Sequence, residues 1–435
     1  MRNINIGIMV APQITFELAG GYLCNGVPVG DGRYLVSAGD DCVCFAGDSV
    51  ERLVFSPTDE ECRFTLHNVI IGINFHWERT QKQTFEGELH FFIEEGKVRA
   101  VNNLPVESYL KSVISSEMSP TASLEFLKAH TVISRSWLYA QIMRSGASSQ
   151  PVLGYSTGDE VIRWYAREDH VTFDLCADDH CQRYQGVPSV GNSRADEAVR
   201  ATSGIVLASD GKVCDARFSK CCGGMTERFS ACWEDEDYSY LDAFRDNDGK
   251  QGFVDLTDEA AAREWIESAP DAFCNTADSA VLAQVLNGYD CETSDFYRWQ
   301  LEYGQEELSQ LVARRSGVDF GTIEALEPVE RAASGRLARL RIVGSKRTMV
   351  VGKELEIRRW LSTSHLYSSA FIADKVEEED GSVKFVIKGA GWGHGVGLCQ
   401  IGAAMMGERG YSYKQILEHY YPGASLVDIE TVAGG

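Results

Sequence analysis

Residues 113–120 read Val-Ile-Ser-Ser-Glu-Met-Ser-Pro, and the acid in that run is out of place. Upstream, Val106, Tyr109, Leu110, Val113 and Ile114 recur at the i, i+3, i+4, i+7, i+8 spacing of one helix face. Continuing the wheel sets Glu117 in the middle of that apolar stripe. A carboxylate on a face meant for burial is costly unless it is paired, hydrogen-bonded or neutral. Glu117 therefore faces a cleft, where it can trade a proton with a substrate, or is freed by an early helix end. A second constellation lies in "HVTFDLCADDHC" (170–181), where His170, Cys176, His180 and Cys181 supply two imidazoles and two thiols. Two nitrogen and two sulfur ligands close a tetrahedral zinc shell and leave no open position for catalysis. The adjacent pair His180-Cys181 needs a sharply turned loop, which Asp178 and Asp179 favour. The plainer alternative is two core cysteines with surface histidines.

The elements that must position these residues are a pair of helices, expected over 106–118 and 122–143 and joined by the breaker Ser119-Pro120-Thr121. On the second, Leu124, Leu127, Thr131, Leu138 and Ile142 make one stripe with Arg135 at its centre. Phe126, Ala129, Ile133, Trp137 and Ala140 make another on the opposite side, so this helix is expected between two layers. Each helix thus offers one charge, of opposite sign, from an apolar face. The pattern leaves two options open: a buried Glu117–Arg135 pair that fixes packing register, or a cleft acid beside an arginine that orients substrate.

Further along, "FSKCCGGMTERFS" (218–230) combines Gly223-Gly224, which permits close backbone approach to a ligand, with Ser219, Thr226 and Glu227 beside it. A tight turn with a capped strand end is the alternative. In "GWGHGVG" (391–397) glycines alternate with Trp392, His394 and Val396. No phosphate-cradling helix accompanies it, so a glycine-lined strand pressed against another backbone is expected. His394 either contacts a cleft or sits hydrogen-bonded in the core. Phe75, Trp77 and Phe85 alternate in 75–89 as core packing or, less simply, a sugar-stacking surface. The vicinal Cys221-Cys222 has no C-x-x-C motif to support redox work.

A chain of 435 residues allows two or three cores, and its net charge of −23 argues against nucleic acid and anionic membrane surfaces as partners. No apolar run reaches the length of a transmembrane helix. Thirteen cysteines cannot all pair within one chain, and most are expected as buried free thiols. The start alternates like a strand and lacks a signal-peptide cleavage site, which fits a cytosolic protein or one whose leader has been removed. The class expected is α+β: a β-rich region over 1–100, a core with the helix pair and the Gly-Gly block over 101–250, a helical insert over 251–325, and the rest of the core over 326–435.

Three blocks carry a resemblance to a known family. "LPVESYLKSVISSEMSPTASLEFLKAHTVISRSWLYAQ" (104–141), the segment 218–243, and "KGAGWGHGVGLCQIGAAMMGERGYSYKQILEHYYPGASL" (388–426) resemble, in order, the signatures of the stage II sporulation protein D family, also called the SpoIID/LytB family. The resemblance implies a SpoIID-like catalytic core and a lytic transglycosylase acting on peptide-stripped peptidoglycan strands. Glu117 then matches the family's catalytic acid and Arg135 its following arginine, although Ser119 separates Met118 from Pro120 where many relatives have Met-Pro. One carboxyl group suffices for that chemistry, because the sugar's own C6 hydroxyl attacks and no water enters. The resemblance also implies zinc on the His170, Cys176, His180, Cys181 set, as in some members, no organic cofactor, and a cell-envelope location. A non-catalytic amidase enhancer, stimulating a cell-wall amidase partner, is the alternative function. A zinc amide hydrolase is remoter, since no H-E-x-x-H is present.

Overall fold

The computed structural model describes residues 2–72, 78–144, 154–165, 170–178, 180–187, 193–249, 254–285 and 295–433. The fold is α+β, with a β-rich N-terminal part, and it divides into two units, Met1–Pro120 with Glu168–Ser203 and Thr121–Arg167 with Gly204–Gly435. The chain therefore crosses between units after residues 120, 167 and 203, where the sequence pattern set boundaries at 100, 250 and 325. Among the described residues no helix is long and apolar enough to cross a membrane.

In the first unit a seven-stranded and a six-stranded sheet arise from period-two alternation. Gln13–Ala19 shows it plainly, burying Ile14, Phe16 and Leu18 on one face. Phe16 of the six-stranded sheet packs on Phe55 and Phe91 of the seven-stranded one, each at 5.1 Å between ring centroids. Phe85 is buried and stacks on Phe64, so it is a core residue; Phe75 and Trp77 lie outside the described residues. The strand Lys97–Pro105 leads straight into helix α1, Val106–Glu117. Pro105 starts this helix with φ −61°, and Glu107 in its first turn suits the positive end of the helix dipole. The helix stops at Glu117 because Met118 is extended (φ −122°, ψ 148°) and Pro120 follows. Leu175–Cys176 returns from the distant segment to pair in parallel with Ile6–Gly7 at the sheet edge.

The second unit is built on helix α2, Leu124–Arg144, whose 21 residues include 15 buried ones distributed on all sides, as the two opposed stripes require. Two of its buried hydroxyls bond to backbone: Thr131 donates to the Leu127 carbonyl, and Ser136 both donates to Val132 O and accepts from Leu207 N–H. The stretch read as a helical insert is helical at Glu259–Ser268, Ser279–Val285 and Gln305–Ser316 but also holds a strand, Arg298–Gly304. That strand pairs with Val383–Ala390, and Trp299, Leu308 and Val312 join one core with Ile342 and Phe385. The segment is thus part of the unit's core. Its Glu- and Ala-rich composition hid a seven-residue strand whose Trp299, Leu301 and Tyr303 alternate toward that core.

Candidate functional site

Glu117 ends α1 half-buried rather than enclosed, so the early stop frees it from the apolar stripe. Its Oε1 accepts the Arg183 N–H at 3.2 Å, and among the described residues Oε2 makes no hydrogen bond. One oxygen is held and the other is open. The same face of α1 is laced to the segment that follows Cys181. Tyr109 donates to Gln182 Oε1 at 3.3 Å, Ser112 to the Gly186 carbonyl at 2.6 Å, and the Gln185 N–H to Ser116 Oγ at 3.3 Å. The first two are buried, where a lost partner costs about 1–3 kcal/mol. The acid's position is therefore set by residues 182–186 as much as by its own helix.

That segment is in turn anchored through the His/Cys set. Cys181 Sγ lies 3.5 Å from His170 Nε2 and 3.6 Å from His180 Nδ1, and Cys176 Sγ lies 3.8 Å from His180 Nδ1. The four donor atoms fall within 4.8 Å of one another. With zinc ~2.3 Å from sulfur and ~2.0 Å from nitrogen, a tetrahedral S···N edge is roughly 3.5 Å. The donor set fits a zinc ion. A hydrogen bond from Cys181, opposed by burial and joined by His170 and His180, holds the Cys176 thiol well below the usual cysteine range. The sharp turn at Asp178 closes with the Cys181 N–H on the Asp178 carbonyl at 3.0 Å, while Asp179 lies outside the described residues. The loop is pinned at its start as well, where the Asp174 N–H donates to Asn5 O and the Ala177 N–H to Gly7 O.

In the second unit Arg135 is fully enclosed in α2, and its Nη1 donates to the Ile205 carbonyl at 3.0 Å. The Gly-Gly block and the glycine-rich strand meet backbone to backbone: Cys221 and Trp392 exchange N–H···O bonds of 3.0 and 2.8 Å. Gly223 (φ +78°) and Gly391 (φ +75°) are pressed together so closely that a Cβ on Gly391 would come within 2.7 Å of the Cys221 carbonyl. Their role is this approach of two strands of the chain. Gly224, also left-handed at φ +97°, continues the turn. Thr226 and Glu227 face inward. Thr226 Oγ1 accepts from Phe244 N–H and donates to Asp242 O, and Glu227 accepts from Ser334 N–H, Ser334 Oγ and Arg228 N–H. Burial pushes the Glu227 carboxyl up, against the hydrogen bonds of Ser334 and Arg228. His394 Nδ1 accepts from Val396 N–H at 3.0 Å, and burial together with Arg217, Arg336 and Arg358 holds the ring well below the usual imidazole range. His394 itself is half-buried. Ser219 is 7% exposed.

Two features of this unit escaped sequence reasoning. Arg336, 1% exposed, donates to Cys222 O, Gly393 O and Ser334 Oγ, clamping both glycine blocks. An arginine in "SGRLARL" carries no local signal of that role. The other is a group formed by Cys222, Asp246, Cys274 and Cys399.

Comparisons with known proteins bear on both units. Residues 94–208 match the family described as stage II sporulation protein, and residues 227–397 match a domain of unknown function. The chain is 28% identical over 336 residues to an amidase enhancer of Bacillus subtilis, covering 73% of this chain and 40% of that protein. It is 23% identical over 333 residues to the stage II sporulation protein D of Bacillus amyloliquefaciens, covering 76% of this chain and 77% of the relative. An uncharacterized protein of Brachyspira hyodysenteriae is 25% identical over 348 residues, 80% of this chain and 73% of that one. The chain thus spans well under half of the amidase enhancer.

Proposed function

We propose, for a chain that carries a SpoIID-family domain at residues 94–208, a lytic transglycosylase of cell-wall glycan with Glu117 as its one general acid and base. The observation that carries this reading is the carboxylate itself: Oε1 fixed by the Arg183 N–H, Oε2 open, at the end of a helix whose same face is laced to residues 182–186. The protonated acid donates to the oxygen linking N-acetylmuramic acid to N-acetylglucosamine as the C1–O bond breaks and C1 becomes oxocarbenium-like. The carboxylate left behind takes the proton of the same sugar's C6 hydroxyl, whose oxygen bonds to C1. A 1,6-anhydro ring and a free N-acetylglucosamine end result, with no water consumed. A single carboxylate is enough, unlike the paired acids of glycoside hydrolases.

The zinc that His170, Cys176, His180 and Cys181 fit would be structural. With four protein ligands it holds the loop that presents the Arg183 N–H and takes no part in bond breaking. Such a reaction belongs at the cell envelope. The name of the amidase enhancer favours a second reading, in which the chain stimulates an amidase without chemistry of its own.

The experiment is mass spectrometry of products from peptide-stripped glycan, run with the wild-type protein and with Glu117→Gln. Anhydro-muramic ends from the first and none from the folded second support the enzyme. Reducing ends, or equal release by the variant, overturn it. Stimulation of a purified cell-wall amidase by both proteins alike, with no anhydro ends, establishes the enhancer instead.

A further inference from the structure

Four ligand-type side chains converge in the second unit, none of them from Glu117's own helix or loop. Cys222, Asp246, Cys274 and Cys399 each place one donor atom within 4.8 Å of the others, and none is more than 2% exposed. Cys222 Sγ lies 3.6 Å from Cys274 Sγ and 3.2 Å from Asp246 Oδ2, and the Cys222 N–H points at Cys399 Sγ at 3.2 Å. Around a zinc ion ~2.3 Å from sulfur and ~2.1 Å from oxygen, tetrahedral edges are roughly 3.8 Å for S···S and roughly 3.6 Å for S···O. The Cys222–Cys274 and Cys222–Asp246 separations fall a few tenths of an ångström inside those edges, about 0.2 and 0.4 Å, a difference that small side-chain rotations close. A disulfide needs sulfurs ~2.05 Å apart, and all three cysteines are free thiols.

Asp246 separates a metal site from a simple pocket of thiols. A carboxylate at 0% exposure is expensive to bury without compensation. Its Oδ1 is provided for, accepting from the Tyr420 hydroxyl at 2.8 Å and from His419 Nε2 at 3.1 Å. Its Oδ2 is turned toward sulfur, a weak donor that satisfies a buried charge poorly. One oxygen tied back by outer hydrogen bonds while the other points into a ring of thiols is how a ligating carboxylate is oriented. A backbone N–H aimed at Cys399 Sγ does the same for a thiolate. His419, the outermost of these groups, lines a cleft of about 620 Å³.

We propose that Cys222, Cys274, Cys399 and Asp246 bind one zinc ion in a closed, structural site. The ion staples the Cys-Cys-Gly-Gly block to the glycine-rich strand's exit at Cys399 and to the loop after the helix Glu259–Ser268. Its ligands are separated by 52 residues between Cys222 and Cys274 and by 177 between Cys222 and Cys399, so closing them constrains much of the unit.

The test uses the full chain with Cys176→Ser and Cys181→Ser as background, which removes the thiols of the other set. Elemental analysis of protein made in zinc-supplied medium should find about one zinc per chain in this background. X-ray absorption should read three sulfurs and one oxygen around it. Adding Cys274→Ser should remove that zinc and lower the melting temperature. A background protein that folds and carries no zinc overturns the proposal, as does iron in its place. So does a wild-type mass lowered by the two hydrogens of a Cys222–Cys274 cross-link. If the Cys274→Ser protein fails to fold, the sulfur count of the background decides, and fewer than three sulfurs refutes the site.

Discussion

The two thiol-containing groups use similar donors in opposite settings. The 170–181 set is gathered from twelve consecutive residues, and His180 is exposed. The second set is gathered from positions up to 177 residues apart, is sealed from solvent, and carries a carboxylate with its own supporting hydrogen bonds. A short-range cluster closes a small loop and so fixes one local feature, here the stretch that holds Glu117. A long-range cluster ties whole segments together, and its loss is felt across a unit. Disturbing the first should therefore cost function more than stability, and disturbing the second should cost stability first.

The largest effect should come from Asp246→Ala. It strips the acceptor from Tyr420 and His419 in a sealed site, and about 3–5 kcal/mol of stability should be lost in a chemical denaturation curve. A loss below about 1 kcal/mol would erase the contrast between the two sets. Arg135→Ala comes next. The guanidinium is fully buried on the Ile205 carbonyl, and its removal opens a cavity, so a loss of about 2–4 kcal/mol is expected in the same assay. An unchanged melt with reduced turnover would move Arg135 to the substrate side instead. Cys181→Ser should cost only about 1–2 kcal/mol, yet reduce release of anhydro ends several-fold, because the Arg183 N–H loses its anchor. Full activity in a zinc-depleted variant would break the link between that set and the acid.

The smallest effect is a pH dependence. Burial, with Lys220 nearby, holds buried His130 neutral by lowering its pKa from 6.5 to about 3. The unfolded chain then binds a proton that the folded one refuses, so stability is complete above about pH 6.5 and falls as pH drops toward 3. His130→Gln should flatten part of that acid decline in melting temperature. An unaltered decline would assign it to other groups.

What the sequence showed and what it hid follow the same division. Glu117, the helix stop after it and the His/Cys set were legible because periodicity and spacing are local properties. The two-sided burial of α2 was legible for the same reason. Arg336, Asp246, Cys274 and Cys399 were not, since each acquires its role from partners that only the fold brings near. Thr226, Glu227 and His394 looked like substrate groups because polar residues beside glycines resemble a binding loop. Thr226 and Glu227 make hydrogen bonds to distant backbone, at Asp242 O and Ser334 N–H, and His394 accepts from the nearby Val396 N–H. The strand Arg298–Gly304 was masked by flanking helical composition, and its pairing with Val383–Ala390, from Arg298↔Ala390 to Gly304↔Lys384, spans a sequence distance that no window can see.

The first unit is made of two pieces of chain, with residues 121–167 intervening. A ribosome adding roughly 5–20 residues per second reaches the second piece on the order of several seconds after finishing the first. Throughout that interval Ile6–Gly7 lacks its edge partner, Tyr109 lacks Gln182, and Ser112 lacks the Gly186 carbonyl. The nascent sheet thus spends its earliest moments with an open edge and unsatisfied polar groups, the condition in which chains pair with the wrong neighbour. Slower synthesis through 121–203 lengthens that exposure.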